Sequence, residues 1–208
     1  MFGMSLPSKY FDRLRDEKSL VLSNRLGKLV DSSECPVVKL LIVNDPFNPS
    51  QDVIESIDKE NLIFGLVSEN LNTAKEYFPS RYFDKTPYEG RPFYHGLLDC
   101  YTLLQDWYLR ERGVTTPHNV ERPWMWWTGK QSLYLQNAKE FGFSRVKGSV
   151  EFGDVFIYTF GSHIANHCGI YMGDNKILHH INGRLSCVEP ITPMMSQHLI
   201  EIVRYKNA

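Results

Sequence analysis

Three residues of this chain combine, by type and spacing, into a possible nucleophilic site. Cys100 follows Asp99 in the run DCYTLLQDWYLRERG, which carries a helix-start signal. A cysteine in the first turn of a helix meets unpaired backbone N–H groups and the positive end of the dipole, both of which favour thiolate over thiol. His167 opens HCGIYMG, and His179 follows twelve residues later in KILHHI, with GDN at 173–175 between them as a tight turn. A hairpin there brings the two imidazoles onto neighbouring strands. One can then hold the thiol proton while the other orients it, the triad logic in its cysteine variant. Spacing alone more often marks a small buried thiol and two strand-end histidines, and at this level both readings stand.

The elements that must position these residues follow from periodicity. Leu103, Leu104, Trp107 and Tyr108 form one apolar stripe at helical spacing after Cys100, closed by Gly113. Asp99 suits the N-cap, accepting from first-turn amides. A weaker helix is expected over 130–141. From there the period turns to two, and strands are expected at 155–160, 168–173, 176–181, 184–189 and 199–205, separated by Gly, Asn, Asp and Pro turns. One helix followed by an antiparallel sheet is an α+β layout. Before it, the chain reads as a small α/β segment, with helices near 9–17 and 52–59 and strands at 37–43 and 62–68. All four tryptophans lie beyond residue 100, and the stretch from Phe78 to Phe93 has three prolines and no sustained period, so the boundary is placed at about 82–88, dividing 1–82 from 83–208.

Composition narrows the classes. Lys and Arg number 23 against 24 Asp and Glu, a net charge of −1, which argues against broad nucleic-acid binding through a basic face. No run approaches the ~20 apolar residues of a membrane span. MFGMSLPSKYFDRLRDE lacks the basic and apolar regions of a secretory signal. Cys35, Cys100, Cys168 and Cys187 form no C-x-x-C pair, so reduced thiols are expected, with Cys168 and Cys187 in the core. A zinc site from Cys100, His167, Cys168 and His179 is disfavoured because adjacent strand residues point to opposite faces. By the same alternation His180 is expected to be structural or exposed. His95 and His163 flank the cleft, and His118 and His198 carry no signal. Trp124, Trp126 and Trp127, in the loop 117–127, are expected to wall the cleft or to form a docking surface.

GRPFYHGLLDCYTLLQDWY, then GDVFIY, then NHCGIYMGDNKILHH resembles the NlpC-type cell-wall peptidase family, a papain-like fold. The resemblance covers about residues 88–205. It implies Cys100 as nucleophile, His167 as general base, His179 as the orienting residue, and no cofactor. It also implies cleavage of peptidoglycan stem peptides at the D-glutamyl–diamino acid amide bond. Many members carry a tyrosine three residues after the leading glycine, its hydroxyl lining the site. Counted from Gly90 that position is Phe93, with Tyr94 beside it, so Phe93, Tyr94 and Asp99 are the candidates for the substrate or oxyanion side.

Within the family, DCYTLLQDWY and LHH are similar to the tail assembly protein K group of phages with long non-contractile tails. That likeness implies other tail-tip proteins as partners, assembly in the host cytoplasm and a place at the virion tail tip. It leaves a structural tail-tip or assembly component, with its peptidase fold kept for docking, as the alternative. The group places a JAMM-type metalloprotease-like domain first, and residues 37–69 look like a shortened remnant. Aligned on Pro46, the zinc histidines fall at Val43 and Asp45, and Ser50-Gln51-Asp52 keeps only the downstream part, so no metal is expected.

Overall fold

The structure, a computed structural model, describes residues 8–25, 28–31, 36–79, 86–116, 120 and 122–206; Cys35 and His118 lie outside them. The chain divides into two compact units, Met1–Tyr82 and Phe83–Ala208.

In the first unit α1 (Ser8–Glu17) leads into β1 (Ser19–Arg25), β2 (Lys28–Asp31), β3 (Pro36–Val43), α2 (Gln51–Glu60), β4 (Ile63–Ser68) and β5 (Ala74–Tyr77). The sheet runs β2-β1-β3-β4-β5. Only a crossover can make neighbouring strands parallel, and α2 supplies it between the parallel pair β3 and β4. Leu14, Leu20, Val38, Leu40 and Val67 form a core on one side. Strands β1, β2 and β5 were not legible in the sequence, because SLVLSNR, KLVD and AKEY are short and interleave polar residues. Val43 ends β3. The Asp45 carboxylate is taken up within its own turn, accepting from the Phe47 amide at 2.8 Å and the Asn48 side chain at 2.8 Å.

The second unit packs α3 (Cys100–Arg112) against a six-stranded sheet. Its other elements are α4 (Leu133–Glu140), β6 (Phe143–Arg145), β7 (Val155–Tyr158), β8 (His167–Tyr171), β9 (Lys176–His179), β10 (Cys187–Pro190), α5 (Pro193–His198) and β11 (Leu199–Tyr205). The sheet order is β10-β9-β8-β7-β11-β6, antiparallel at each pairing. The stripe Leu103, Leu104, Trp107 and Tyr108 is buried against Val155, Ile157, Cys168, Ile170 and Leu178. Asp154, in the GD step before β7, clamps the neighbouring strand β11, accepting from Arg204 at 2.6 and 2.9 Å. No helix among the described residues is long and apolar enough to cross a membrane.

Two local features aim the histidines. Asp174 and Asn175 both have positive φ, 47° and 56°, as the central pair of a type I′ turn requires, and this closes the β8–β9 hairpin. Gly169 pairs with His179 across it. A Cβ at Gly169 would lie 2.5 and 2.7 Å from Ile177 side-chain carbons and 3.0 Å from the His179 Cβ. Gly169→Ala is therefore expected to push β9 away from β8 and to cost about 1–3 kcal/mol, as overpacking does. A urea midpoint that drops, together with weakened Cys100 reactivity, is the expected outcome.

Candidate active site

The nucleophile's position is built by the helix start. Asp99 caps α3 through Oδ1, which accepts from the Tyr101 and Thr102 amides at 3.0 Å each, while the Thr102 hydroxyl accepts from the Asp99 amide at 2.8 Å. Its other oxygen accepts from the Gly96 amide at 2.8 Å and from Arg122 at 3.1 Å. Burial pushes the Asp99 carboxyl up, but Arg122, His95 and the amide donors together hold it well below the usual range. Asp99 is thus a saturated structural anion, although it lines the cleft.

Cys100 lies in the first turn with its thiol against three partners. The Tyr134 hydroxyl is 3.1 Å from Sγ. The Cys168 thiol donates to the Cys100 carbonyl at 3.4 Å, and His167 stands on the cleft side. The neighbouring Cys168 thiol is the largest influence, burial opposes it, and the charge and hydrogen bond of His167 add to it. The Cys100 thiol is held well below its ordinary value as a result. Cys168 and Tyr134 are pushed the other way, each mainly by burial, so both stay protonated beside the thiolate.

Behind His167 a relay of imidazoles continues. His167 Nε2 is 3.1 Å from His179 Nδ1, and His179 Nε2 is 2.8 Å from Glu189 Oε1. His179 is only 1% exposed and does not line the cleft, so its reach is through His167. Burial first, and then the His167 charge, lower its pKa to about 4 despite Glu189. At neutral pH the contact with Glu189 is consequently a neutral N–H donating to a carboxylate.

An unfolded histidine binds its proton near pH 6.5, and the folded His179 does so only near 4. The unfolded state therefore holds more protons in between, and stability falls as pH drops from about 6.5 towards 4, by about 3 kcal/mol at most. The unfolding free energy of the native chain minus that of His179→Asn, taken at pH 7, 5 and 4, is expected to shrink over that window.

The expected residues distribute unevenly around the cleft. Cys100, His167, Phe93, Asp99, His95, Trp124, Trp126 and Trp127 all line it. His95 donates from Nε2 to the Arg122 carbonyl at 2.7 Å and meets Trp124 and Trp127 edge-on. Tyr94 does not line it; its backbone pairs with Leu98 and the residue is buried. His163 is exposed and away from the cleft. His180, expected by alternation to be structural or exposed, is 1% exposed, lines the cleft and packs edge-on against Phe93 at 5.1 Å. The strand ends at His179, so strict alternation no longer governs the next side chain. Cys187, expected in the core, is half-buried on the edge strand β10.

Three residues at the site escaped the sequence reading. Tyr134 on α4 puts a hydroxyl beside the sulfur, while Phe93 occupies the position counted from the leading glycine. Its signal was absent, since α4 is a weak helix thirty-four residues from Cys100. Glu189 and Arg184 escaped because register decides them: Cys187 faces His179 across β9–β10, and Glu189 follows two residues on, on the same face. Among the described residues, His179, Cys187 and Glu189 are the group whose ligand-type atoms lie within 4.8 Å of one another. Arg184 already supplies a cation there, reaching Glu189 at 2.8 and 3.1 Å.

Comparison with known proteins places this geometry in a lineage. The chain is 38% identical over 118 residues to "Tail tip assembly protein K" of Escherichia phage lambda, covering 56% of this chain and 58% of that protein. It is 30% identical over 123 residues to the protein of the same name in Escherichia phage N15, covering 58% and 50%. The chain thus spans about half the length of the curated relatives it matches. A solved NlpC/P60 family protein from Bacillus cereus ATCC 10987 aligns over 96% of this chain and 66% of its own, at 16% identity and a TM-score of 0.42. The assignment does not rest on that superposition. The profile of the NlpC/P60 family matches residues 90–204, more than half of the chain and the whole span from the leading glycine to the last strand, and the chain belongs to that family.

Proposed function

We propose that the chain is a phage tail-tip component whose second unit hydrolyses peptidoglycan stem peptides as a cysteine peptidase. The observation that carries the reading is the cleft-lining Cys100 at a capped helix start, with its thiol held low and the His167–His179 pair beside it. The Cys100 thiolate attacks the amide carbon, and the backbone N–H of Cys100 faces the oxygen that becomes negative. As the tetrahedral adduct collapses, the C–N bond breaks and imidazolium His167 gives its proton to the leaving amine. A thioester remains. Water, deprotonated by His167, attacks it; the carboxylic product leaves and the thiolate returns. Tyr134, kept protonated by burial, donates to the sulfur while it carries charge.

The bond cleaved is the D-glutamyl–diamino acid amide, on the family likeness. Membership of a tail tip, with tail proteins as partners and the host wall as the place of action, rests on the names of the two relatives. The first unit is a metal-free remnant of a metalloprotease-like domain in this reading. The test is digestion of purified peptidoglycan by the full chain, read by mass spectrometry of the released muropeptides. New amino termini on the diamino acid are expected. An unchanged muropeptide profile, with the protein folded and Cys100 reactive, would favour the docking role.

A further inference from the structure

The cleft accounts for Cys100, His167 and Tyr134, but the buried chain behind it continues past His179 to a charged group on the sheet edge. We propose that Glu189 is a positioning residue for the Cys100–His167 couple, fixing which nitrogen of each imidazole carries a proton. The inference rests on the peptidase reading of the site and extends it by one member.

Glu189 is held as a carboxylate by Arg184, whose two terminal nitrogens reach Oε1 at 3.1 Å and Oε2 at 2.8 Å. A carboxylate only accepts, so His179 must present N–H from Nε2, 2.8 Å away. A neutral imidazole has one N–H, which leaves Nδ1 of His179 as a lone pair. That lone pair faces Nε2 of His167 at 3.1 Å, so His167 must donate from Nε2. Nδ1 of His167 is then the nitrogen free for Cys100, bare as a base or protonated as the partner of a thiolate. Reverse the first assignment and the chain fails. With its proton on Nδ1, His179 would face His167 with a donor, His167 would turn its lone pair to His179, and its N–H would point at an unionised thiol with no base to receive the proton.

Burial makes the assignment matter. His179 is 1% exposed, so water is not at hand to satisfy a misplaced N–H. The β9–β10 register delivers Glu189 to this spot, as Val188 pairs with Leu178 and Glu189 with Ile177. The edge strand is itself anchored: Ser186 and Arg91 exchange backbone and side-chain bonds at 2.9 and 3.0 Å, and Glu89 accepts from the Val188 amide at 3.0 Å.

The experiment uses the full chain, native and as Glu189→Gln, Glu189→Asp and Arg184→Ala. Long-range 1H–15N spectra of 15N-histidine-labelled protein at pH 7 read the tautomer of His179, and iodoacetamide alkylation from pH 4 to 9 reads the ionisation of Cys100. In the native protein His179 is expected as the Nε2–H tautomer. Glutamine keeps the shape of Glu189 but can donate as well as accept, so Glu189→Gln is expected to give mixed tautomers. Its alkylation midpoint is expected to rise by at least about one pH unit, a tenfold loss of thiolate at any pH below the native midpoint. Glu189→Asp is expected to recover part of the shift, and Arg184→Ala to show a smaller one in the same direction. An Nδ1–H tautomer in the native protein overturns the proposal, as does a folded Glu189→Gln with native spectra and an unmoved midpoint. A merely structural tie between β9 and β10 predicts that second result. Should native Cys100 titrate as an ordinary thiol, the peptidase reading falls by itself, and the tautomer spectra still decide the role of Glu189.

Discussion

Replacing Cys100 with alanine is expected to lower stem-peptide hydrolysis by ~10⁴-fold or more, because the nucleophile has no substitute in the cleft. Cys168 is adjacent, but its thiol is buried, pushed up and bonded to the Cys100 carbonyl, so it cannot take over. Residues that act as a unit are not additive: once the thiolate is gone, a base has nothing to activate. His167→Ala is thus expected to cost a comparable factor alone and almost nothing further on top of Cys100→Ala. Rates of muropeptide release from the two single variants and the double variant, each with the native melting curve, check this. Additive losses would mean that the residues do not work through one couple.

The largest effect on stability is expected at Asp99. Its side chain is 3% exposed and that of Arg122 is 6%, and the two are paired at 3.1 Å. Removing one member of a buried pair leaves the other charge uncompensated, which costs about 3–5 kcal/mol. Losing the cap adds about 1 kcal/mol. Domains of this size are stable by only ~5–15 kcal/mol, so Asp99→Ala is expected to be marginal or unfolded. Asp99→Asn keeps an oxygen for the Tyr101 and Thr102 amides and is expected to lose less. Adding Arg122→Met to Asp99→Asn removes the orphaned cation and is expected to recover part of the loss, a coupling that urea titrations of the two single variants and the double variant can measure.

How much of this was legible in the residues follows from what each signal depends on. The helix of Cys100 could be read because its cap, apolar stripe and closing glycine are local, and all three hold in the structure. The hairpin could be read because a turn with two left-handed residues leaves its mark in GDN. The strand order could not, since β11 enters between β7 and β6, and no local pattern encodes that choice. Tyr134 and Glu189 were hidden for the same reason. Each reaches the site by packing or register, over sequence separations of 34 and 10 residues, and nothing in either one's neighbours announces it. At His180 alternation was carried one residue past the end of a strand, so its place in the cleft was not foreseen.

The central claim is a thiolate at Cys100 made by its surroundings, and peptide mass spectrometry of iodoacetamide alkylation across pH 4–9 tests it most directly. The account predicts that Cys100 reacts well below the ~8.5 of a free thiol, that His167→Ala removes the advantage, and that Cys187 titrates above its ordinary value. Alkylation of Cys100 only at the pH where Cys187 reacts, with the fold intact, would contradict it.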